Sequence, residues 1–264
     1  MSDFDIDAHR DVVTELIVTA GRSALAWYRT PIDVENKWDT GFDPVTAADR
    51  AVEDEIRAGL EELFDGHAIL GEERGETGSG PHRWIIDPID GTRAFIIGHP
   101  LWGTLVGFET DGRPVAGWMY LPALDETYLA TPAGAVLHRN GGESPLRTAA
   151  VTGLDQAIVA STHPEMFATD AEQAAFARLS AEVRMVRFGG DCANYGLLAE
   201  GFIHVVVENQ LAAYDIAPLI PIIEGAGGVV TDLDGGSVGD GGFVVASANP
   251  GLHAAALAAL NDGR

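Results

Sequence analysis

The chain has 264 residues, 40 of them acidic and 16 basic, for a formal charge of −24. So large an excess of acid excludes a surface built to replace counterions on nucleic-acid phosphates, and an anionic membrane partner is disfavoured for the same reason. Hydrophobic residues make up 46%, the composition of a folded protein and not of a charged disordered chain. The length suits one large domain or two smaller ones.

A single cysteine, Cys192, cannot form an internal disulfide, and the eight histidines are scattered without zinc spacing. The N-terminus carries Asp3 and Asp5 where a signal peptide would carry Lys or Arg, and no apolar run approaches the ~18 residues of a membrane span. The expectation is a soluble, cytoplasmic protein.

In chain order, Val12, Val13, Leu16, Ile17, Ala20, Ala24 and Trp27 form a helical stripe that stops at Pro31. Thr46, three residues before Asp49, then caps a second helix that continues through Val52, Ile56, Leu60 and Leu63. From His67 to about Arg139 the runs 68–70, 84–86, 101–108, 115–120 and 128–130, punctuated by Gly, Pro and Asp, predict a largely antiparallel sheet. The second half alternates strands (158–160, 183–186, 203–207, 229–230, 243–246) with helices (171–179, 193–199, 216–226, 252–260), an α/β pattern. A boundary near Gly141-Gly142 divides halves 1–140 and 141–264, with no linker or repeat between them. A single continuous domain is the preferred reading.

Three acidic segments lie where strands end or helices begin: Gly71-Glu72-Glu73, Asp87-Pro88-Ile89-Asp90-Gly91-Thr92 and Tyr214-Asp215. Singly, each reads as a solvated turn, a hairpin turn and a helix N-cap. Together they suggest a metal site, because Pro88 stiffens the turn that lets Asp87, the Ile89 carbonyl and Asp90 face one point, and hard oxygen ligands select Mg²⁺ or Mn²⁺ over zinc. Two carboxylates about 4 Å apart repel by roughly 4 kcal/mol at an effective dielectric of 20, so several together call for a cation. Gly91-Thr92 offers open backbone amides beside them for an anion such as phosphate.

These segments, with Trp84-Ile85-Ile86 before Asp87, Ile216-Ala217 after Asp215, and Glu224-Gly225-Ala226-Gly227-Gly228, resemble the inositol monophosphatase-like family of Mg²⁺-dependent, Li⁺-sensitive phosphatases, from Asp43-Pro44-Val45-Thr46 to the C-terminus. The resemblance implies a layered α+β fold, an αβαβα sandwich of the inositol monophosphatase and fructose-1,6-bisphosphatase type, commonly a homodimer. It implies two or three Mg²⁺ ions, replaceable by Mn²⁺, on Glu72, Asp87, the Ile89 carbonyl, Asp90 and Asp215. Glu72, Thr92 and Asp90 would be catalytic, Glu72 and Thr92 orienting the attacking water, and the Gly91 and Thr92 amides would bind phosphate. Tyr214 stands where many members carry Trp. Hydrolysis would proceed by direct in-line attack of water, without a phosphoenzyme.

The residues after Asp90-Gly91-Thr92 are Arg93-Ala94-Phe95, not the Thr-Asn-Phe usual in true inositol monophosphatases, and they resemble the histidinol-phosphate phosphatase branch. Arg187, Asp191 and Glu208 are the expected substrate contacts, since carboxylates would pair with the ammonium and imidazole of histidinol phosphate, whereas inositol offers only hydroxyls. Simpler readings are a surface ion pair for Arg187, a cap on the helix beginning near Ala193 for Asp191, and a buried small side chain for Cys192. The alternatives are an inositol-1-phosphate, sugar or nucleotide phosphatase, a serine hydrolase using Ser237 in Gly235-Gly236-Ser237-Val238-Gly239, and a non-catalytic metal-binding regulator. Lys37, Asp39 and Asp43, in the 36–44 loop, lie in a segment that approaches the metals in relatives.

Overall fold

In a computed structural model, residues 4–31, 33–36 and 44–263 are described; Lys37, Asp39 and Asp43 lie outside them. Helix α1 (Arg10–Ser23) buries Val13, Ile17 and Ala20, then tightens into a 3-10 turn at Ala24–Ala26 in place of the helix expected to continue to Trp27. Strands β1 (Val34–Asn36) and β2 (Pro44–Thr46) pair antiparallel. Helix α2 (Ala47–Leu63) starts as the Thr46–Asp49 spacing predicts. The Thr46 hydroxyl accepts the Ala48 N–H (3.1 Å), and Asp49 Oδ2 accepts the Thr46 N–H (2.8 Å).

The first sheet contains β3 (Ala68–Gly71), β4 (Gly75–Thr77), β5 (His82–Asp90), β6 (Gly103–Thr110), β7 (Arg113–Leu121), β8 (Glu126–Thr131), β9 (Gly134–Arg139) and β10 (Gly142–Pro145), in the order β10-β9-β8-β7-β6-β5-β3-β4. Only the β3–β5 pair is parallel. The hairpin β9–β10 was not predicted, because β10 is exposed throughout and offers no apolar run. Its turn contains Gly141, so the expected boundary falls inside this sheet, which continues to Pro145.

The second sheet, in the order β12-β11-β13-β15-β14, contains β11 (Ile158–Ser161), β12 (Met185–Phe188), β13 (Val205–Ala212), β14 (Val229–Thr231) and β15 (Gly241–Ser247). β12 lies two residues later than expected, an exposed edge strand fixed by parallel pairing of Met185 with Ile158 and not by its apolar residues. The remaining helices are α3 (Thr92–Ile96), α4 (Asp170–Glu182), α5 (Ala193–Ala199), α6 (Ala213–Ile216), α7 (Leu219–Gly225) and α8 (Pro250–Asn261).

The strands alternate between two covered faces, which is why they read as continuous apolar runs. On β6 and β7, Val106, Trp118 and Tyr120 face the core under α1 and α2, while Leu105 and Met119 face the opposite core. That second core includes Tyr195 and Leu198 of α5, Leu219 and Ile223 of α7, and Val206, Val244 and Ala246 of the second sheet. On the far side, Val205, Val207 and Val245 pack with Phe176 and Leu179 of α4 and Leu252 of α8. The layers are therefore αβαβα. No helix among the described residues is long and apolar enough to cross a membrane.

One departure positions the site. The helix expected over 216–226 is two helices, α6 and α7, separated by Pro218. The break sits against Gly107 and Gly117, paired across β6 and β7, and a Cβ on Gly117 would lie 1.8 Å from the Pro218 carbonyl oxygen. Glycine there lets α6, which carries Asp215, reach the sheet.

Candidate active site

Asp87 and Asp90 occupy the end of β5, where pairing with β6 slips: Asp87 opposes Leu105 and Asp90 opposes Gly103. The Thr104 hydroxyl holds the Pro88 carbonyl at 2.9 Å in this irregular segment. Gly91 follows at φ 77°, a left-handed conformation that glycine adopts without strain. A Cβ there would meet Asp191 side-chain atoms at 3.1 Å. Thr92 opens the single-turn helix α3, and its hydroxyl donates to the Ile89 carbonyl at 3.0 Å, leaving that oxygen a second lone pair.

Glu72 enters from the turn after β3, its backbone N–H bonded to the Ile86 carbonyl (3.1 Å), and its side chain meets Asp87. Asp215 enters from α6, with Oδ2 accepting the Ala212 N–H at 2.7 Å. Carboxylate oxygens of Asp87, Asp90 and Asp215 lie within 4.8 Å of one another. At that distance each like-charged pair costs about 3 kcal/mol at an effective dielectric of 20. Burial, then the neighbouring Glu72, Asp90 and Asp215 charges, raise the Asp87 carboxyl well above its usual range. Asp215 is raised by burial and by Asp90. Asp90 is pushed up to about 6 by burial, although the Cys192 N–H bonds its Oδ2 at 2.7 Å. Asp87 Oδ1 is buried with no hydrogen-bond partner.

A cation resolves all three observations. Converging hard oxygens, raised proton affinities and an orphaned acceptor fit a divalent ion such as Mg²⁺ or Mn²⁺, and no cysteine or histidine belongs to this cluster.

The acids line a cavity of about 540 Å³, the size of a small-molecule site. Ile89, Gly91, Thr92, Asp191 and Glu208 share its wall, so the structure brings together every expected site residue except Arg187. Arg187 is exposed on the edge strand β12 and is not part of the wall, because the register of that strand keeps it at the sheet margin.

Asp191, at φ 47° after two left-handed glycines, is pushed up to about 7 by burial and by Asp90. Its side chain does not cap α5; its backbone carbonyl accepts the Asn194 N–H at 3.1 Å. Glu208 is buried and is also pushed up to about 7, mainly by desolvation. It accepts hydrogen bonds from the Thr162 N–H (2.9 Å), the Thr162 hydroxyl (2.6 Å) and the Tyr195 hydroxyl (2.9 Å). Neither Thr162 nor Tyr195 was expected from the sequence. Parallel pairing of Ala160 with Val206 brings Thr162 beside Glu208, a juxtaposition with no signal in chain spacing.

Cys192 is buried, and desolvation with the nearby acids raises its thiol well above the usual range, so it stays protonated. Ser237 lies exposed in the loop between β14 and β15, not on the strand-to-helix elbow that a hydrolase serine needs.

A model described as the inositol monophosphatase family matches residues 5–263. A histidinol-phosphatase from Chlorobaculum parvum is 37% identical over 252 residues, covering 94% of this chain and 95% of the relative. An inositol-1-monophosphatase from Mesorhizobium japonicum is 33% identical over 247 residues, covering 89% of this chain and 90% of the relative. A solved inositol monophosphatase from Zymomonas mobilis is 35% identical and superposes with a TM-score of 0.84, over 96% of this chain and 98% of that one.

Proposed function

Because the chain belongs to the inositol monophosphatase family and is a phosphatase acting on phosphate monoesters, we propose that it hydrolyses L-histidinol phosphate to L-histidinol and phosphate in a Mg²⁺-dependent reaction, the whole chain acting as one catalytic domain. Asp191 and Glu208 carry this reading: two carboxylates beyond the Asp87–Asp90–Asp215 cluster, one half-buried and one buried, share its cavity. The anionic end of histidinol phosphate would pair with the cations held by the first set and its cationic end with Asp191 and Glu208, whereas inositol phosphate meets Asp191 and Glu208 only with hydroxyls.

Asp87, Asp90, Asp215, Glu72 and the Ile89 carbonyl would hold Mg²⁺. When bound, the ions supply Lewis acidity that neutralises the phosphoryl group and lowers the pKa of water. Glu72 and the Thr92 hydroxyl orient the attacking water, and Glu72 takes its proton. The Gly91 and Thr92 amides bind phosphate oxygens. A water–phosphorus bond forms as the ester P–O bond breaks, and the leaving alkoxide takes up a proton to give the alcohol.

The similarity to the Mesorhizobium relative favours a second reading, an inositol-1-phosphate phosphatase. Comparing kcat/KM for L-histidinol phosphate and myo-inositol 1-phosphate with Mg²⁺, and with Li⁺ as inhibitor, separates the two. The expected result is at least a tenfold preference for histidinol phosphate and Li⁺ inhibition. A preference for inositol phosphate overturns the first reading.

A further inference from the structure

Helix α2 faces the β3–β4 hairpin through a buried ion pair that none of the roles above uses. Glu53 is fully buried, and its Oε1 accepts from Arg57 Nε, one helical turn later, at 2.7 Å. The same carboxylate accepts two backbone donors from the hairpin turn, the Glu73 N–H at 2.6 Å on Oε2 and the Arg74 N–H at 3.1 Å on Oε1. Arg57 continues to the far side of the turn, donating to the Gly75 carbonyl and, at 3.1 Å, to the Thr77 hydroxyl. Gly71 lies so flat against the pair that a Cβ there would stand 2.1 Å from Glu53 Oε1.

The residue between Gly71 and Glu73 is Glu72. Its own N–H is held by the Ile86 carbonyl, so the backbone amides of 72, 73 and 74 are all bonded, two of them to one buried carboxylate. Hydrophobic packing could fill this space with equal or greater stability, since a buried ion pair seldom repays its desolvation. What packing cannot supply is a set of directed acceptors and donors that fixes the path of a short turn. A carboxylate at the end of a flexible side chain is aimed only as well as its backbone is held.

We propose that Glu53 and Arg57 are positioning residues, a clamp on α2 that fixes the 72–74 turn and so directs the Glu72 carboxylate toward Asp87 in the cavity. This rests on the reading of Glu72 as a metal ligand that also orients water. A second strap, the paired bonds of Arg74 to Asp54 at 2.8 and 2.6 Å, is exposed and lies outside the clamp.

The test uses the full chain with Glu53→Gln, which keeps shape and removes charge, and reads three quantities: hydrogen exchange over residues 71–77, Mn²⁺ affinity by calorimetry, and kcat and KM separately. The expected result is exchange at least about tenfold faster over 71–77 with α4 and α8 unchanged, Mn²⁺ bound about 10- to 100-fold more weakly, and a fall in kcat with KM within about threefold. Should this variant not fold, Arg57→Lys carries the same test, because it keeps the charge but loses the planar fork reaching Gly75 and Thr77. Unchanged Mn²⁺ affinity and kcat overturn the clamp, whether or not exchange accelerates. An equal loss in Asp54→Asn also overturns it, by removing the distinction between buried pair and exposed strap. Wild-type protein that binds no Mn²⁺ instead overturns the reading of the cavity, which separates the two failures.

Discussion

Glu53 and Glu109 are as deeply buried as Asp87, at 0%, 2% and 2% exposure, yet their surroundings are opposite. Arg57 stands 2.7 Å from Glu53 and Arg83 stands 2.7 Å from Glu109, while Asp87 meets Glu72, Asp90 and Asp215 and keeps one oxygen without a partner. This chain has only 16 basic residues, and it still places arginine against buried acids beneath the hairpin and on the first sheet. Among the described residues the charges that act most on Asp87 are instead the like ones of Glu72, Asp90 and Asp215, and that is not for want of arginine. A buried charge left without its counter-charge marks a place shaped for something the polypeptide does not supply, here a cation.

The largest effect that could break this contrast is Asp90→Asn. Phosphate release should fall at least about a thousandfold, the scale of losing a preorganised electrostatic group, while circular dichroism stays native. Turnover near wild type would remove the functional meaning of the cluster. Next, Glu208→Gln should raise KM for L-histidinol phosphate about 10- to 100-fold, since a charged hydrogen bond contributes roughly 1.5–3 kcal/mol, and should affect myo-inositol 1-phosphate far less. Equal losses for both esters would make Glu208 a structural acid like Glu109.

Thermal melts with chelator present sharpen the contrast through its sign. Asp87→Asn should raise Tm by a few degrees, because relief of about 1 kcal/mol moves Tm by roughly 2–4 °C in a chain of this size, whereas Glu109→Gln, which leaves Arg83 only the longer, exposed pairing with Glu76 at 3.5 Å, should lower it. Adding Mg²⁺ should raise the wild-type Tm and leave Asp87→Asn much less changed. Destabilisation by Asp87→Asn would mean the cluster is held together without a cation.

The smallest effect concerns buried imidazoles, with His67 also beside the rings of His82 and His9. Burial holds the His67, His204 and His253 imidazoles below their usual range. The unfolded chain takes up a proton near pH 6.5 that the fold resists, so their contribution to stability is present above that pH and is lost as pH falls below it. His67 Nδ1 accepts the Trp84 indole N–H at 3.1 Å. Replacing it by Gln should make the loss of stability between pH 7 and 5 shallower in urea titrations, and an unchanged slope would remove His67 from this account.

Much of the site was legible because its chemistry is local. Pro88 between two aspartates, Gly91 at a left-handed turn and Thr46 three residues before Asp49 each act within one turn of chain, where spacing is geometry. Thr162 and Tyr195 were not legible, because they reach Glu208 through strand pairing and helix packing. Arg187 was expected among the substrate contacts from the resemblance to the histidinol-phosphate phosphatase branch, but strand register put it at a sheet edge. The clamp was hidden in plain helical spacing: Glu53 and Arg57 read as an ordinary i, i+4 pair, and only the arrival of the hairpin turn shows what they hold.

By itself, then, the sequence determined the caps and turns, the covered strands and the residue types of an oxygen-rich cation site, since these follow from side-chain chemistry over a few bonds. The tertiary structure alone decided that Glu72, Asp90 and Asp215 meet within one cavity, that Asp191 and Glu208 join them, and which buried acids receive an arginine. Those outcomes depend on sheet order, on the break at Pro218 and on the glycine pair that admits it, where distant segments compete for the same space and no local preference chooses between them.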